Sequence, residues 1–414
     1  MCIRDSTGCY ENTIMPEDGR QSFMAALTNA GYRTHGIGKC HFSPDLHALR
    51  GFQTRERQEE ILKTPEEDEY LKFIHEQGFD YICDPHGIRG EMYYIPQPSQ
   101  LPARLHPTQW VGDRAIEFLE KSSSSKQPWY LFVSFVHPHP PFTPPNPWHK
   151  LYRAPAMPLP YIPADYKSLW TYANRWQNRY KYRDQGIDQN LLRNIKAYYY
   201  ACISFIDFQV GRIIKTLAQN GQLDNTLIIF TSDHGEHLGD YYCFGKRTMH
   251  NSAARIPLII RYPERFPTGQ ICEEVVSLVD LAPTILAATD TQITTHQLDG
   301  VDLTEIVAGQ INRKVVYSQL ALQPHSDPLS RAAHCTHMIV TKEWKYFYSA
   351  PDQQEFLFDR LTDPWESRNK AGLSLYADIQ KELKGNLINF LQQNGDMSLI
   401  HISEPTRPLY ISYA

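Results

Sequence analysis

The chain has 414 residues, 42 % hydrophobic and 12 % aromatic, enough to bury a large core and too apolar for a disordered or fibrous protein. Its 41 basic and 46 acidic residues leave a net charge of −5, so no basic surplus points to nucleic acid. Apolar runs such as 131–136 are far too short to span a bilayer, and eight cysteines with no C-x-x-C pair suit neither a disulfide framework nor a zinc ribbon.

Strands and helices alternate, which predicts an α/β fold with a mostly parallel central sheet flanked by helices. Residues 21–29 read as a helix stopped by Gly31, and 33–38 as a short strand running into Gly38-Lys-Cys-His41. Residues 111–121 have helical periodicity and end in four serines. The run 129–136 is a buried strand by its length and its aromatic and β-branched content, and it breaks into His137-Pro-His-Pro-Pro141. Residues 142–185, rich in Pro, Tyr and Trp, show no period and read as a long ordered excursion, with aromatic rings suited either to stacking on sugars or to ordinary packing. A long helix, with room for one break, is predicted over 188–220, a strand over 227–232, another over 256–262 and a helix over 281–288. From about 315 the pattern changes to antiparallel strands at 315–318, 338–341 and 344–349 and a closing helix over 375–393, a small α+β subdomain. The ends, Met1-Cys-Ile-Arg-Asp-Ser6 and 403–414, resemble translated sequencing-adapter read-through. Residues 1–6 and 399–414 are therefore expected to be non-native and the gene cut at both ends, so that a missing signal region says nothing about export.

Ligands of open α/β sheets sit beyond the carboxyl ends of the strands. Four polar clusters fall there: Lys39 with His41, His137 with His139, Asp233 with His234, and Lys246. Alone, each reads as a turn, a cap or a solvated charge. Together they describe a cationic pocket for a tetrahedral oxyanion ester, sulfate or phosphate. The lysines would neutralise the non-bridging oxygens, a histidine would protonate the leaving oxygen, and Asp233 would offer hard oxygen to a divalent ion.

The ordered motifs carry a resemblance. Thr7-Gly-Cys-Tyr10, the run Ala30–His41 (A-G-Y-R-T-H-G-I-G-K-C-H), His139-Pro-Pro141, Thr231-Ser-Asp-His-Gly-Glu236 with Gly239-Asp240, Gly245-Lys246, Arg255-Ile-Pro-Leu258, Asp280–Thr284, Leu357-Phe-Asp359 and Asp363-Pro364 resemble the sulfatase family of the alkaline phosphatase superfamily. The short spacing from Asp233 to Lys246 is most similar to its choline-sulfatase and phosphonate-monoester-hydrolase branch. The resemblance implies an alkaline-phosphatase-like catalytic domain over 7–314 and a C-terminal subdomain over 315–398. It implies a sulfuric ester hydrolase acting on a sulfate ester of a carbohydrate or small molecule, in the periplasm or outside the cell. Lys39, His41, His139 and Lys246 would be catalytic, with His137 a further substrate contact beside Lys39, His139 and Lys246. Asp233 and His234 would hold one divalent ion, calcium by family habit, although imidazole suits Mn, Fe or Zn better.

The family's nucleophile is a formylglycine, made by a formylglycine-generating enzyme from Cys or Ser in C/S-x-P-x-R. That motif is not found, since Cys2 lacks the following Pro and Arg. The resemblance places it upstream of Thr7, together with a first strand bearing two aspartate ligands. The chain as it stands is expected to show no useful turnover. Two other readings are a phosphonate or phosphodiester hydrolase on the same scaffold and a non-catalytic anion- or glycan-binding relative. The presence of the whole cationic set argues against the second.

Overall fold

A computed structural model describes residues 19–42, 45–61, 64–176, 188–321, 333–396 and 402. The Thr7–Tyr10 motif lies outside them. Three parallel strands form one sheet in the order β2 (Thr54–Arg57), β1 (Arg33–Gly38), β3 (Trp129–Ser134). Their registers bring Gly38 opposite both Arg57 and Ser134. The three strands thus end level, and the turns after them, at 39–41, 58–60 and 135–139, open on one edge. Gly38 is needed where β1 meets β3: its φ is +91°, and an added Cβ would fall 2.0 Å from the Ser134 carbonyl oxygen.

Helices cover this sheet. α1 (Phe23–Asn29) is capped by Ser22, whose hydroxyl accepts from the Ala25 N–H. α2 (Glu69–Glu76) is capped by Asp68, and α3 (Pro107–Ser122) starts with proline in its first turn. α4 (Tyr172–Trp176) is short, and α5 (Gln189–Gln219) runs unbroken for 31 residues. Ile37, Tyr70, Ile74, Trp110 and Val111 form the core between the sheet and α2 and α3. A smaller cluster of Phe118, Leu119 and Leu217 takes Trp129 of β3 and Ile228 of β4 (Ile228–Thr231) together. That shared packing sets β4 near β3. β4 itself pairs antiparallel with β5 (Leu258–Arg261) rather than joining the parallel set.

After α6 (Asn251–Ala254), α7 (Leu281–Ala288) and α8 (Leu303–Val307), the chain enters a four-stranded antiparallel meander: β6 (Val316–Ala321), β7 (Cys335–Val340), β8 (Trp344–Ser349) and β9 (Gln354–Asp359). One face carries Ile339, Tyr346 and Leu357 against Leu383, Leu387 and Leu391 of α9 (Ala377–Gln393). The other carries Met338, Phe347, Phe356 and Phe358 against Leu169, Trp170, Tyr241 and Met249 of the preceding part. At this seam Lys345 reaches Glu366, the Met249 carbonyl (2.9 Å) and Asn251 (2.6 Å). The charges are buried but paired, the condition under which burial is tolerated. No helix among the described residues is long and apolar enough to cross a membrane.

Candidate active site

Beyond Gly38 the chain turns through Lys39 and Cys40 into His41, whose φ of +52° is uncommon for a residue with a side chain. Glu59, from the turn after β2, holds it there. The N–H groups of Cys40 and His41 both donate to Glu59 Oε1 at 3.2 Å, and His41 Nδ1 lies 2.9 Å from Oε2. The His41 ring therefore keeps its Nδ1 proton on the carboxylate and turns Nε2 outward. Burial pushes the Glu59 carboxyl up, but these donors outweigh it and hold the group below the usual carboxylate range. Glu59 is fixed in turn by its own N–H, which donates to Asp68 Oδ2 at 2.7 Å.

Glu60 points at the other strand ends. Its Oε2 lies 3.0 Å from His139 Nδ1 and 3.4 Å from both Lys39 Nζ and Arg89 Nη2, and its Oε1 is 3.9 Å from His41 Nε2. Oε2 has no aligned hydrogen-bond donor among the described residues, so these are ion-pair approaches. Burial opposes the Glu60 charge, yet His139, Lys39, Arg89 and His41 keep the carboxyl well below its ordinary range. Arg89 also lies over the Tyr93 ring at 5.4 Å. His139 Nδ1 lies 2.9 Å from the Pro140 carbonyl oxygen as well. Its proton is thereby placed on Nδ1, and Nε2 is left for the cleft.

From β4 come Asp233 and His234. The carbonyl of Gly235 takes the His234 Nδ1 proton at 2.8 Å, and His234 Nε2 accepts from Lys246 Nζ at 2.7 Å. Burial holds the His234 pKa down to about 4, so its ring is neutral at pH 7. Burial, and then Lys39, lower Lys246 to about 8, so it is still mostly charged at pH 7. The His139 and His234 rings stand edge to face with centroids 6.0 Å apart, which closes the two halves of the cleft. Gly235 permits the tight path: a Cβ there would fall 2.1 Å from the Ser252 carbonyl oxygen.

Lys246 is aimed by Glu236, a buried carboxyl that accepts from the N–H groups of Gly245 (2.5 Å) and Leu238 (3.4 Å) and from the Tyr94 hydroxyl (3.3 Å). Burial raises its pKa to about 7. Glu236→Ala is expected to cost about 2–3 kcal/mol in urea unfolding, because it strands buried donors. Glu236→Gln, which keeps an acceptor, should cost less than half of that.

Lys39, His41, His139, Asp233, His234 and Lys246 are thus gathered on one cleft. His137 is not. It lies behind the cleft wall, with Nε2 2.9 Å from Thr143 Oγ1 and its ring packed on His86 and His106. His139, two residues on, instead meets Glu60 and His234 at the cleft. A substrate contact through His137 is corrected to a buried structural role. The aromatic rings of the excursion that fall among the described residues mostly pack inward: Trp148 on Phe205, Tyr166 on Trp170, Tyr161 on Trp365. Glu59, Glu60, Arg89, Tyr93 and Glu236 escape the sequence reading as site residues. Only the acidic pair after a short charged strand offers any signal for the first two.

Asp233, whose carboxylate is open to the cleft, and His234 supply two donors, and the His234 Nε2 lone pair is already engaged by Lys246. Calcium takes six to eight oxygens. No group of three or more His, Cys, Asp or Glu suited to a metal occurs among the described residues, so these residues alone do not make a metal site.

The sulfatase family model matches residues 4–291, and a model of the N-sulphoglucosamine sulphohydrolase C-terminal region matches 239–393. An arylsulfatase of Clostridium perfringens is 29 % identical over 410 residues, covering 92 % of this chain and 78 % of that protein. An N-acetylglucosamine-6-O-sulfatase of Bacteroides thetaiotaomicron is 32 % identical over 188 residues, covering 45 % and 33 %. The solved phosphonate monoester hydrolase of Silicibacter pomeroyi superposes with a TM-score of 0.78 at 22 % identity, over 96 % of this chain and 84 % of that one.

Proposed function

The chain belongs to the sulfatase family of hydrolases, and from that premise we propose that it cleaves the sulfate ester of a carbohydrate in the cleft between β1, β3 and β4. The observation that carries this reading is the convergence of Lys39 and His139, from the turns after β1 and β3, with Lys246, from the long loop after β4, linked through Glu60 and His234. Two lysines facing one anion neutralise the charge that builds on its oxygens as the ester bond breaks. His139 presents Nε2 to the leaving oxygen. An anion bound beside the ring raises its affinity for a second proton, which the ring can then pass on. His41, held by Glu59, faces the same anion with Nε2. A sugar sulfate as substrate is supported by the relative that removes 6-O-sulfate from N-acetylglucosamine.

A formylglycine, formed by a formylglycine-generating enzyme, would supply the attacking oxygen in this reading. Asp233 would be the described residues' contribution to a divalent ion, calcium first, and His234 could join it only where the ion replaces Lys246 at Nε2; such an ion would draw electron density from the ester oxygens. Location in the periplasm or outside the cell belongs to the same proposal, as do the domain limits 7–314 and 315–398.

Two measurements test it. The unaltered chain should bind 4-nitrophenyl sulfate, and the enzyme carrying a formylglycine should release sulfate from glucosamine 6-sulfate. Turnover of a phosphonate monoester without any sulfate release would overturn the assignment.

A further inference from the structure

Within the cleft the cations do not stand free: a carboxylate of the chain itself sits among them. Glu60 approaches His139, Lys39, Arg89 and His41 at 3.0 to 3.9 Å, and three of those four groups are the ones that face the substrate anion. An ester oxygen touching Lys39 Nζ at about 3 Å would lie within roughly 6.5 Å of Glu60 Oε2. We propose that Glu60 is a specificity-determining residue, a fixed negative charge that makes the cleft select singly charged esters over doubly charged ones. The inference rests on the sulfate-ester reading and deepens it by naming the charge class of substrate.

The physical problem is real for any site of this kind. Sulfate and phosphate monoesters share a tetrahedral shape and similar oxygen spacing, so hydrogen-bond geometry separates them poorly. Their charge differs: at neutral pH a sulfate monoester carries one negative charge and a phosphate monoester close to two, its second proton leaving near pH 6. Without Glu60 the cleft would set Lys39, Lys246 and Arg89 against the single carboxylate of Asp233, a cationic surplus that favours the dianion. Glu60 cancels one of those charges from inside, where water does not screen it well, and adds a repulsion that grows with each charge on the ligand. Phosphonate monoesters and phosphodiesters, also monoanions, escape the penalty, so the filter acts on charge and not on the central atom. Glu60 can bear its charge there because the surrounding cations hold it ionised. It is also kept in place by its neighbour, since Glu59 is tied to the β1 turn and to Asp68.

The experiment compares phenyl sulfate with phenyl phosphate, which differ in charge but not in leaving group. Dissociation constants are measured by calorimetry on the full chain at constant ionic strength and about pH 7.5, where both probes are fully ionised. The unaltered chain should bind phenyl sulfate more tightly. Glu60→Gln should shift the ratio of the two constants toward phenyl phosphate by about tenfold, the effect of one unit charge at this range in a partly screened site. Glu60→Asp, which keeps the charge, should hold the original preference. An unchanged ratio in Glu60→Gln overturns the proposal. So does tighter binding of phenyl phosphate by the unaltered chain, a result that needs no variant. Absence of binding by either probe refutes instead the sulfate-ester reading on which the proposal stands.

Discussion

Lys246→Ala is expected to weaken binding of 4-nitrophenyl sulfate by about a hundredfold, with kcat/KM in the turning-over enzyme falling by at least as much. Removing one preorganised donor from an anion-stabilising site costs about 10²–10³ in rate, and here the donor is also a buried full charge. Its loss has a second part: His234 Nε2 would keep its lone pair but lose the ammonium 2.7 Å away. Lys246→Arg should recover only part of the loss, because a planar fork cannot reproduce a point donor between His234 and an ester oxygen. Stability should respond in the opposite sense. Burial and the nearby Lys39 both disfavour the Lys246 charge and bring its pKa to about 8. Lys246→Ala should therefore unfold at an equal or higher temperature than the parent. A thermal scan beside the binding titration separates the cases, since a variant that lost binding through local collapse would melt earlier.

The positions of Lys39, His41 and His139 are readable in the sequence because strand ends are readable; Lys246 lies far along the loop after β4 and is not placed by that rule. The strand 33–38, the helix 281–288 and the strand 344–349 occupy the residues their apolar patterns select, and a polar cluster just past an apolar strand has few places to go in an α/β sheet. Where the pattern is weak, the reading fails. β2 is Thr-Arg-Glu-Arg, with no apolar alternation, because it is a short strand at the sheet edge and its Arg57 is occupied with Glu69 of α2. With β2 unseen, the turn at its end goes unseen too, and with it Glu59 and Glu60, the two carboxylates that hold His41 and stand among the cations. A pair of acidic residues carries no spacing signal; only the third strand end makes it part of the site. His137 fails for a different reason. The sequence cannot show on which side of a Pro-rich turn each histidine emerges, and the turn sends one inward and the other out.

The stability of the protein should fall steeply as pH drops below about 6.5. His86, His106, His137 and His237 are all buried, and burial lowers their pKa values: to about 4 for His137, to about 3 for His237, and well below the ordinary value for the other two. An unfolded histidine takes up its proton near pH 6.5, whereas each of these stays neutral when folded. The unfolded state thus binds more protons below 6.5, and stability is lost as pH falls through that window, by about 1.4 kcal/mol per pH unit for each histidine. Two buried carboxyls work the other way. Asp68 and Glu236 are raised to about 7 by burial, so between their unfolded pKa values and 7 the folded state binds the extra proton. Counting His139 and His234 of the cleft, which burial holds down to about 3 and about 4, six histidines less two carboxyls leaves a net uptake of about four protons on unfolding, or roughly 5.5 kcal/mol per pH unit between about 4.5 and 6.5. That is a large share of a typical 5–15 kcal/mol. Below about 4.5 Glu366 takes over, held down to about 2 by Lys345 and His250 against its burial, and its contribution disappears as pH falls toward 2. Urea titrations at pH 7.5, 6.5 and 5.5 measure the slope. His86→Phe isolates one of its sources, because neither His86 ring nitrogen has a hydrogen-bond partner among the described residues and the ring packs between Tyr70 and His137. Phenylalanine there forfeits no hydrogen bond and removes one titrating site, so the pH slope should flatten by about 1.4 kcal/mol per unit. An unaltered slope in His86→Phe would mean that His86 is already charged in the folded protein, and that the buried histidine cluster holds a counter-anion.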